Sequence, residues 1–337
     1  MDLQTLLNTI RTNASAEYQA RVPAATQTNL DAIGGALLSD VTLANEFTSA
    51  LMNKVAFTVA HSKMFNNPLA LLKKGTKPFG DSVEEIFVNY AKAESYDATG
   101  ATLLERKLPD VKAIYHTMNR QDKYKVTIGM QQLQKAFRSY GDLERFITLI
   151  INSLYNGDNL DEFIIFKKLL TEAITDKLVK VVTVQDPNTS AENAKAFIKA
   201  VKTVSAGMKF PSKEYNGYLD SQSTDTKPVI TFTDIPDQYI IMDSATYITI
   251  GVDVLASVFH LEPAQFEQRI ILIDAFPDKD VRALVIDKEF TQIYDDLYQM
   301  RAFENGEGLY TNYVLHHWQT ISASSLVNAV AFKVAAA

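Results

Sequence analysis

The chain has 337 residues, 47% hydrophobic and 22% charged, with a net charge of −7 and no Cys. A hydrophobic fraction near half excludes a wholly disordered protein. The missing Cys excludes disulfide scaffolds, thiolate metal sites and thiol catalysis, and the acidic balance argues against a protein built to grip nucleic acid.

At about 100–200 residues per domain, the length suggests two or three domains or one elaborate one. Met1–Arg11 has no basic stretch followed by an apolar one, so no secretory signal is visible. No run reaches the roughly 18 apolar residues of a membrane span. The first 45 residues read as a loosely structured arm. Leu3, Leu6, Leu7 and Ile10 suit a short amphipathic helix, and Pro23 and Gly34-Gly35 interrupt the stretch after it. Leu43, Phe47, Leu51 and Val55 give helical spacing over 43–56. Turn signals at Asn67-Pro68, Lys74-Gly75 and Phe79-Gly80 open a long excursion, 66–128. Its middle, 81–110, is strongly charged. Its end alternates Tyr124, Val126 and Ile128 with Lys123, Lys125 and Thr127, the period of a half-buried strand.

The strongest periodicity predicts a helix over 142–176. Phe146, Ile150, Leu154, Leu160, Phe163, Ile164, Leu170 and Ile174 follow helical spacing, and Asp142 and Glu144 stand where the helix dipole favours acids. Unbroken, it would run roughly 50 Å. Asn156-Gly157-Asp158 is its weak point, because Gly costs about 1 kcal/mol against Ala inside a helix. A strand comes next, at 179–185. Thr189 and Glu192 then form a capping box for a helix that ends at Gly207. Residues 208–227 read as a polar loop. Strand signals come at 229–233, 239–242, 270–274 and 283–287, with a short helix around Val254, Leu255, Val258 and Phe259. The last forty residues return to strands. The elements make a mixed α+β protein.

The search for chemistry is mostly negative. Lys73-Lys74, Lys123 with Lys125 and Lys167-Lys168 are short basic clusters that read as solvated edges. Lys74-Gly75-Thr76-Lys77 lacks the glycine spacing of a phosphate loop. His316 and His317 are adjacent, so in a strand their rings point to opposite faces and read as structural. His260 near Asp253 and Glu262 suits a surface helix end. Asp274, Asp278, Asp280 and Asp287 supply paired acids, but nothing in the spacing fixes them in one site. Ser322, Ser324 and Ser325 lack the glycines of a nucleophile elbow. No catalytic residue, cofactor or metal site is expected. An arm and a long loop without cores of their own point to an oligomer that covers them.

Several segments then carry a resemblance. They are Asn67-Pro68-Leu69, Val83-Glu84-Glu85-Ile86, Tyr96-Asp97-Ala98, Leu108-Pro109-Asp110-Val111-Lys112 and Asn119-Arg120-Gln121. They continue through Ile150-Ile151-Asn152, Asp253-Val254-Leu255-Ala256 and Val285-Ile286-Asp287-Lys288 to His317-Trp318-Gln319-Thr320 and Asn328-Ala329-Val330-Ala331-Phe332. Taken together and in this order, the sequence resembles the major capsid (head) proteins of phi-29-like Bacillus podoviruses and their small relatives.

The resemblance implies the Hong Kong 97-type capsid fold. Residues 1–45 would be the N-terminal arm and 66–128 the extended loop that overlaps a neighbouring subunit. Residues 46–65 and 129–179 would be the peripheral domain with its spine helix 142–176, and 180–290 the axial domain. Residues 291–337 would return to both. It implies a virion shell of pentamers and hexamers, icosahedral or prolate, assembled in the cytoplasm of a bacterial host and enclosing double-stranded DNA without sequence-specific binding. A separate scaffolding protein and a portal protein are the implied partners, and no membrane is. Glu84, Glu85, Lys107 and Arg120 are candidate intersubunit contacts, and Gly157 is a candidate hinge between pentamer and hexamer positions. A mildly acidic inner lining is expected. An encapsulin-like compartment of the same fold and a mixed α/β enzyme are the competing readings.

Overall fold

A computed structural model describes residues 3–26, 28–40, 42–47, 50, 65–77, 82–96, 98–100, 104–129, 131, 140–221, 227–251 and 270–335. Within residues 140–152 its side chains are described only at 146 and 150. The chain divides into two compact units. One comprises Met1–Asn67, Arg120–Glu162 and Leu297–Trp318, the other Pro68–Asn119, Phe163–Asp296 and Gln319–Ala337.

The first unit corrects the reading of a loosely structured start. Three helices, α1 (Leu3–Asn13), α2 (Ala16–Arg21) and α3 (Leu30–Leu38), pack on one core, and residues 42–47 are helical too. Ile10, Tyr18, Ile33, Leu37 and Phe47 are buried there with Ile150, Leu154 and Tyr313. Gly34 and Gly35 lie inside α3 rather than breaking it, and Gly34 is buried. Side chains replace helix propensity at the ends. Ser15 caps α2 by accepting from the Tyr18 amide, and Arg11 donates to the carbonyls of Gln19 and Val22. The remainder of the helix expected over 43–56 lies outside the described residues.

The long helix, α4, runs unbroken from Tyr140 to Thr175, about 54 Å. Its residues up to Glu162 belong to the first unit and those from Phe163 to the second. Phe163, Phe166, Leu170 and Ala173 are buried, whereas Leu160 and Ile164 of the expected apolar face are half exposed.

A five-stranded mixed sheet organises the second unit, in the order β4 (Lys180–Val184), β10 (Ala329–Val334), β7 (Val281–Asp287), β5 (Gln238–Asp243), β6 (Ile270–Ile273). Strand alternation feeds two cores. Ile241, Leu284, Ile286, Ala329 and Ala331 pack with Phe163, Phe166 and Leu170 of α4. Ile240, Met242, Ala283, Val285, Val330 and Phe332 pack with α5 (Ala191–Gly207), through Phe197, Ile198, Val201 and Val204. Sheets covered on both faces need near-continuous apolar strands, which is the pattern in 239–242 and 283–287.

Three local expectations shift. The N-cap of α5 is Ser190, whose hydroxyl accepts from the Asn193 amide, not Thr189, whose hydroxyl instead donates to the Asp186 carbonyl. Residues 229–233 form no strand. They make one bridge, Thr231 with Ser212, while the Ile230 amide donates to the Asn89 side chain. Within 208–227 a short helix, α6 (Tyr218–Ser221), stands in the expected loop. Another, α7 (Ser244–Ile250), follows β5, capped by Asp243. The helix expected around Val254–Phe259 lies outside the described residues.

The charged middle of the excursion holds a hairpin. Strand β1 (Ser82–Val88) pairs antiparallel with β2 (Val111–Thr117), Ser82 opposite Thr117 and Val88 opposite Val111. A third sheet has the order β3 (Arg120–Gly129), β9 (Tyr310–Ala323), β8 (Thr291–Asn305).

Candidate functional site

The β1–β2 hairpin separates the four candidate contact residues. The period of two turns Val83, Glu85, Phe87, Lys112, Ile114 and His116 to one face, and Glu84, Ile86, Val88, Val111, Ala113 and Tyr115 to the other. The inner face is tied down within the second unit. Phe87 and Ile114 pack against Tyr218, Val229 and Leu326, and the Lys112 ammonium stands 5.4 Å over the Tyr218 ring. Glu85 accepts from Ser324 Oγ at 2.8 Å and meets His116 Nε2 at 3.1 Å, while His116 Nδ1 meets Ser322 Oγ at 2.7 Å. A hydroxyl–imidazole–carboxylate line can activate a nucleophile in an open cleft. Here the imidazole is 3% exposed beneath the hairpin, and the line fastens β1 and β2 to Ser322 at the end of β9 and Ser324 just past it.

The outer face is different. Ile86 is 60% exposed, Val88 53% and Tyr115 62%, and Tyr90 and Val111 extend the patch. Glu84 lies on it and accepts from the Tyr115 hydroxyl at 2.8 Å, which raises the phenol's pKa. Lys107 is exposed in the connection between the strands and pairs with Glu94. Glu84 and Lys107 therefore face solvent, whereas Glu85 is engaged within its own unit.

Arg120, the fourth candidate, is 5% exposed in the first unit. Its Nε donates to Asp122 at 2.6 Å, and one Nη donates to Asp158 at 3.1 Å and to the Tyr124 hydroxyl at 2.9 Å. Burial lowers its pKa, but the Asp122 hydrogen bond and the charges of Asp158 and Asp122 outweigh that and raise it. Asp158 also accepts a hydrogen bond from His317 Nδ1 at 2.7 Å, since a carboxylate can only accept. Tyr124 donates onward to Asp161 at 3.0 Å, and burial raises its pKa strongly. Gly157 precedes Asp158 inside the unbroken helix, facing the Tyr124 ring. The two adjacent histidines do part. His317 is buried with Asp158, and His316 lies on the other side of β9, half-buried.

The other sequence candidates find local partners. Asp274 pairs with Lys167 and Asp278 with Lys333. Asp287 accepts from Thr233 at 2.6 Å, and burial raises its pKa. These carboxylates are not brought to one site. Lys73 and Lys77 pair with Asp295 and Asp296, so residues 73–77 lie along the start of β8 rather than around a phosphate. His260, Asp253 and Glu262 lie outside the described residues. A cleft of about 370 Å³ at the start of α5, lined by Asn188, Thr189, Ser190, Lys195 and Thr249, has Lys195 as its one ionisable group. No described helix is long and apolar enough to cross a membrane.

The arrangement is one of buried ties and an unburied strand face, and comparison with known proteins says what it serves. The family model of phi29-like phage major capsid proteins matches residues 7–333. The chain belongs to that family. It is 36% identical to the major capsid protein of Bacillus phage B103 over 97% of its own length and 72% of the relative's. It is 37% identical to that of Bacillus phage GA-1, covering 89% of this chain and 62% of that one. With the major capsid protein of Streptococcus phage Cp-1 the identity is 30%, over 96% of this chain and 92% of the relative. Among solved structures, the capsid of Staphylococcus phage Andhra matches with a TM-score of 0.67 at 14% identity, over 82% of this chain and 86% of that chain. The fold is thus the α+β Hong Kong 97-type capsid fold, the function is that of a tailed-phage major capsid protein, and the place of action is the virion shell. Because the curated relatives are phage capsid proteins, the encapsulin-like reading is the less supported one.

Proposed function

We propose that copies of this chain associate as pentamers and hexamers of a closed head, icosahedral or prolate, around double-stranded DNA, and that the outer face of the β1–β2 hairpin lies on a neighbouring copy. In this reading 1–45 is the arm, 66–128 the overlapping loop, 46–65 with 129–179 the peripheral domain, 180–290 the axial domain, and 291–337 the return. The chain performs no catalytic step. A scaffolding protein during assembly and a portal protein complete the set of partners.

The observation that supports it is the apolar row Ile86, Val88, Val111 and Tyr115, left uncovered in a strand pair whose other face is packed. Contiguous exposed apolar surface of this kind marks an interaction site. Glu84 on that face and Lys107 in the connection are placed to set register against a neighbour. As exposed charges they act on partner choice more than on binding strength. The double variant Ile86→Asp/Val88→Asp tests the reading. The side chains point to solvent, so circular dichroism and melting should match the parent. Electron microscopy of material coexpressed with scaffold should show no closed shells. Normal shells from the double variant would remove the hairpin face from the interface.

A further inference from the structure

Helix α5 carries a row of lysines on the side away from its core. Lys195, Lys199 and Lys202 succeed one another at i, i+4 and i+7, within roughly 60° around the axis. Lys195 and Lys199 are exposed and Lys202 half-exposed. Lys209 follows just past the helix end, where the cap residue Met208 still has helical dihedrals, and it too is exposed. From Lys195 to Lys209 the row covers about 21 Å at 1.5 Å per residue.

Many of the other lysines of its unit are paired. Lys73, Lys77, Lys167, Lys180, Lys288 and Lys333 each stand beside a carboxylate. Among the described residues, Lys195, Lys199, Lys202 and Lys209 have no acidic partner. The acid on the helix is Glu192, in its first turn, where the dipole favours it. A line of uncompensated cations on a chain of net charge −7 is an electrostatic footprint for an anion longer than a single ion.

We propose that this row is a phosphate track for duplex DNA, holding the backbone by charge and not reading its sequence. The proposal rests on the reading of the chain as the shell of a DNA genome. Within the helix the side chains exposed beside the row are small, Ala196, Thr203 and Ala206, and none can make the bidentate contacts that read base edges, while a large apolar side chain, Phe210, is exposed beyond the helix end. One strand of duplex presents a phosphate about every 3.4 Å along the axis, so 21 Å of track spans about six. The proposal revises the expectation of a mildly acidic inner lining.

The test uses the full chain and a fluorescent 30-base-pair duplex of mixed sequence, with affinity measured between 50 and 200 mM salt. Each lysine that neutralises a phosphate contributes about 0.9 to the slope of log affinity against log salt. The variant K195Q/K199Q/K202Q should bind at least tenfold more weakly at low salt, with a slope shallower by about 2.7. Gln is close to Lys in helix propensity, so circular dichroism should be unchanged. The variant K195R/K199R/K202R should keep the parent affinity. Equal affinity and slope for the Gln variant would overturn the track. So would tighter binding of a poly-glutamate peptide than of the duplex, which would assign the row to an acidic protein. Electron microscopy separates the two levels. Shells from every variant with unchanged DNA binding remove the track and leave the shell reading standing. Absence of shells from the parent chain coexpressed with scaffold removes the shell reading, while the binding series still decides what the lysines hold.

Discussion

In the five-stranded sheet, successive residues of one strand serve different cores: Ile240 and Met242 face α5 while Ile241 between them faces α4. In the β1–β2 hairpin the same alternation serves one core. Phe87 and Ile114 are packed, while Ile86, Val88 and Tyr115 are exposed. Both regions place apolar side chains on both faces of their strands, so hydrophobicity does not set them apart. What differs is whether a helix of the same chain arrives to cover the second face. A strand pair with one orphan apolar face is either an aggregation hazard or half of an interface. The shell contact proposed above takes the second meaning.

The comparison breaks hardest at Phe332. It is fully buried on β10, edge-on to Phe197 at 5.7 Å between ring centroids. Phe332→Ala should cost about 3–5 kcal/mol, from lost transfer energy plus an unfilled cavity. Denaturant unfolding of the purified chain measures it. An outward apolar residue of the hairpin, truncated in the same way, should change folding stability by no more than about 0.5 kcal/mol. A loss below about 1 kcal/mol at Phe332 would mean that the sheet's second face is not a closed core.

Buried charge extends the contrast. Asp158 holds Arg120 and His317 together at 3% side-chain exposure, whereas Lys107 and Glu94 meet in solvent. Asp158→Ala removes the buried carboxylate shared by Arg120 and His317, leaves Arg120 to Asp122 and Tyr124, and should destabilise the chain by up to about 3–5 kcal/mol. Glu94→Ala should change stability by less than about 1 kcal/mol. Comparable small losses for both would show that Arg120 relaxes to water when its partner is removed.

The legible parts of this fold are those whose partners lie near in sequence or whose pattern is long. The helix over 140–175 and strands β5 and β7 announce themselves by period and by β-branched runs. Strand β1 is hidden because Glu84 and Glu85 sit in its middle, one outward and one inward, and interrupt the apolar alternation. The amphipathic helix around residues 3–10 is legible, but α2 and α3 are hidden because their core includes Ile150, Leu154 and Tyr313, far along the chain. The cap of α5 is displaced by one residue because Thr189 and Ser190 both carry hydroxyls, and only backbone geometry chooses between them. Arg120, Asp158 and His317 could not be joined from sequence, since 38 and 159 residues separate them. The lysine row is visible at i, i+4 and i+7 but escapes a search for adjacent basic residues. That the row makes no ion pair among the described residues is a fact of three dimensions.

Gly157 supplies the smallest effect and the finest test of how the long helix is used. It stands within an unbroken α4, and a Cβ added there would meet the Tyr124 ring at 3.7 Å, an ordinary contact. Nothing steric therefore demands glycine at this position. Ala favours an interior helical site by about 1 kcal/mol, partly by restricting the unfolded chain. Gly157→Ala should then raise the melting temperature by about 1–2 °C. If the same glycine lets the helix bend differently in pentamers and hexamers, that gain in stiffness comes at the expense of geometry. The variant should then assemble into particles of altered size or shape under electron microscopy. A raised melting temperature with unchanged particles would keep the helix energetics and remove the hinge.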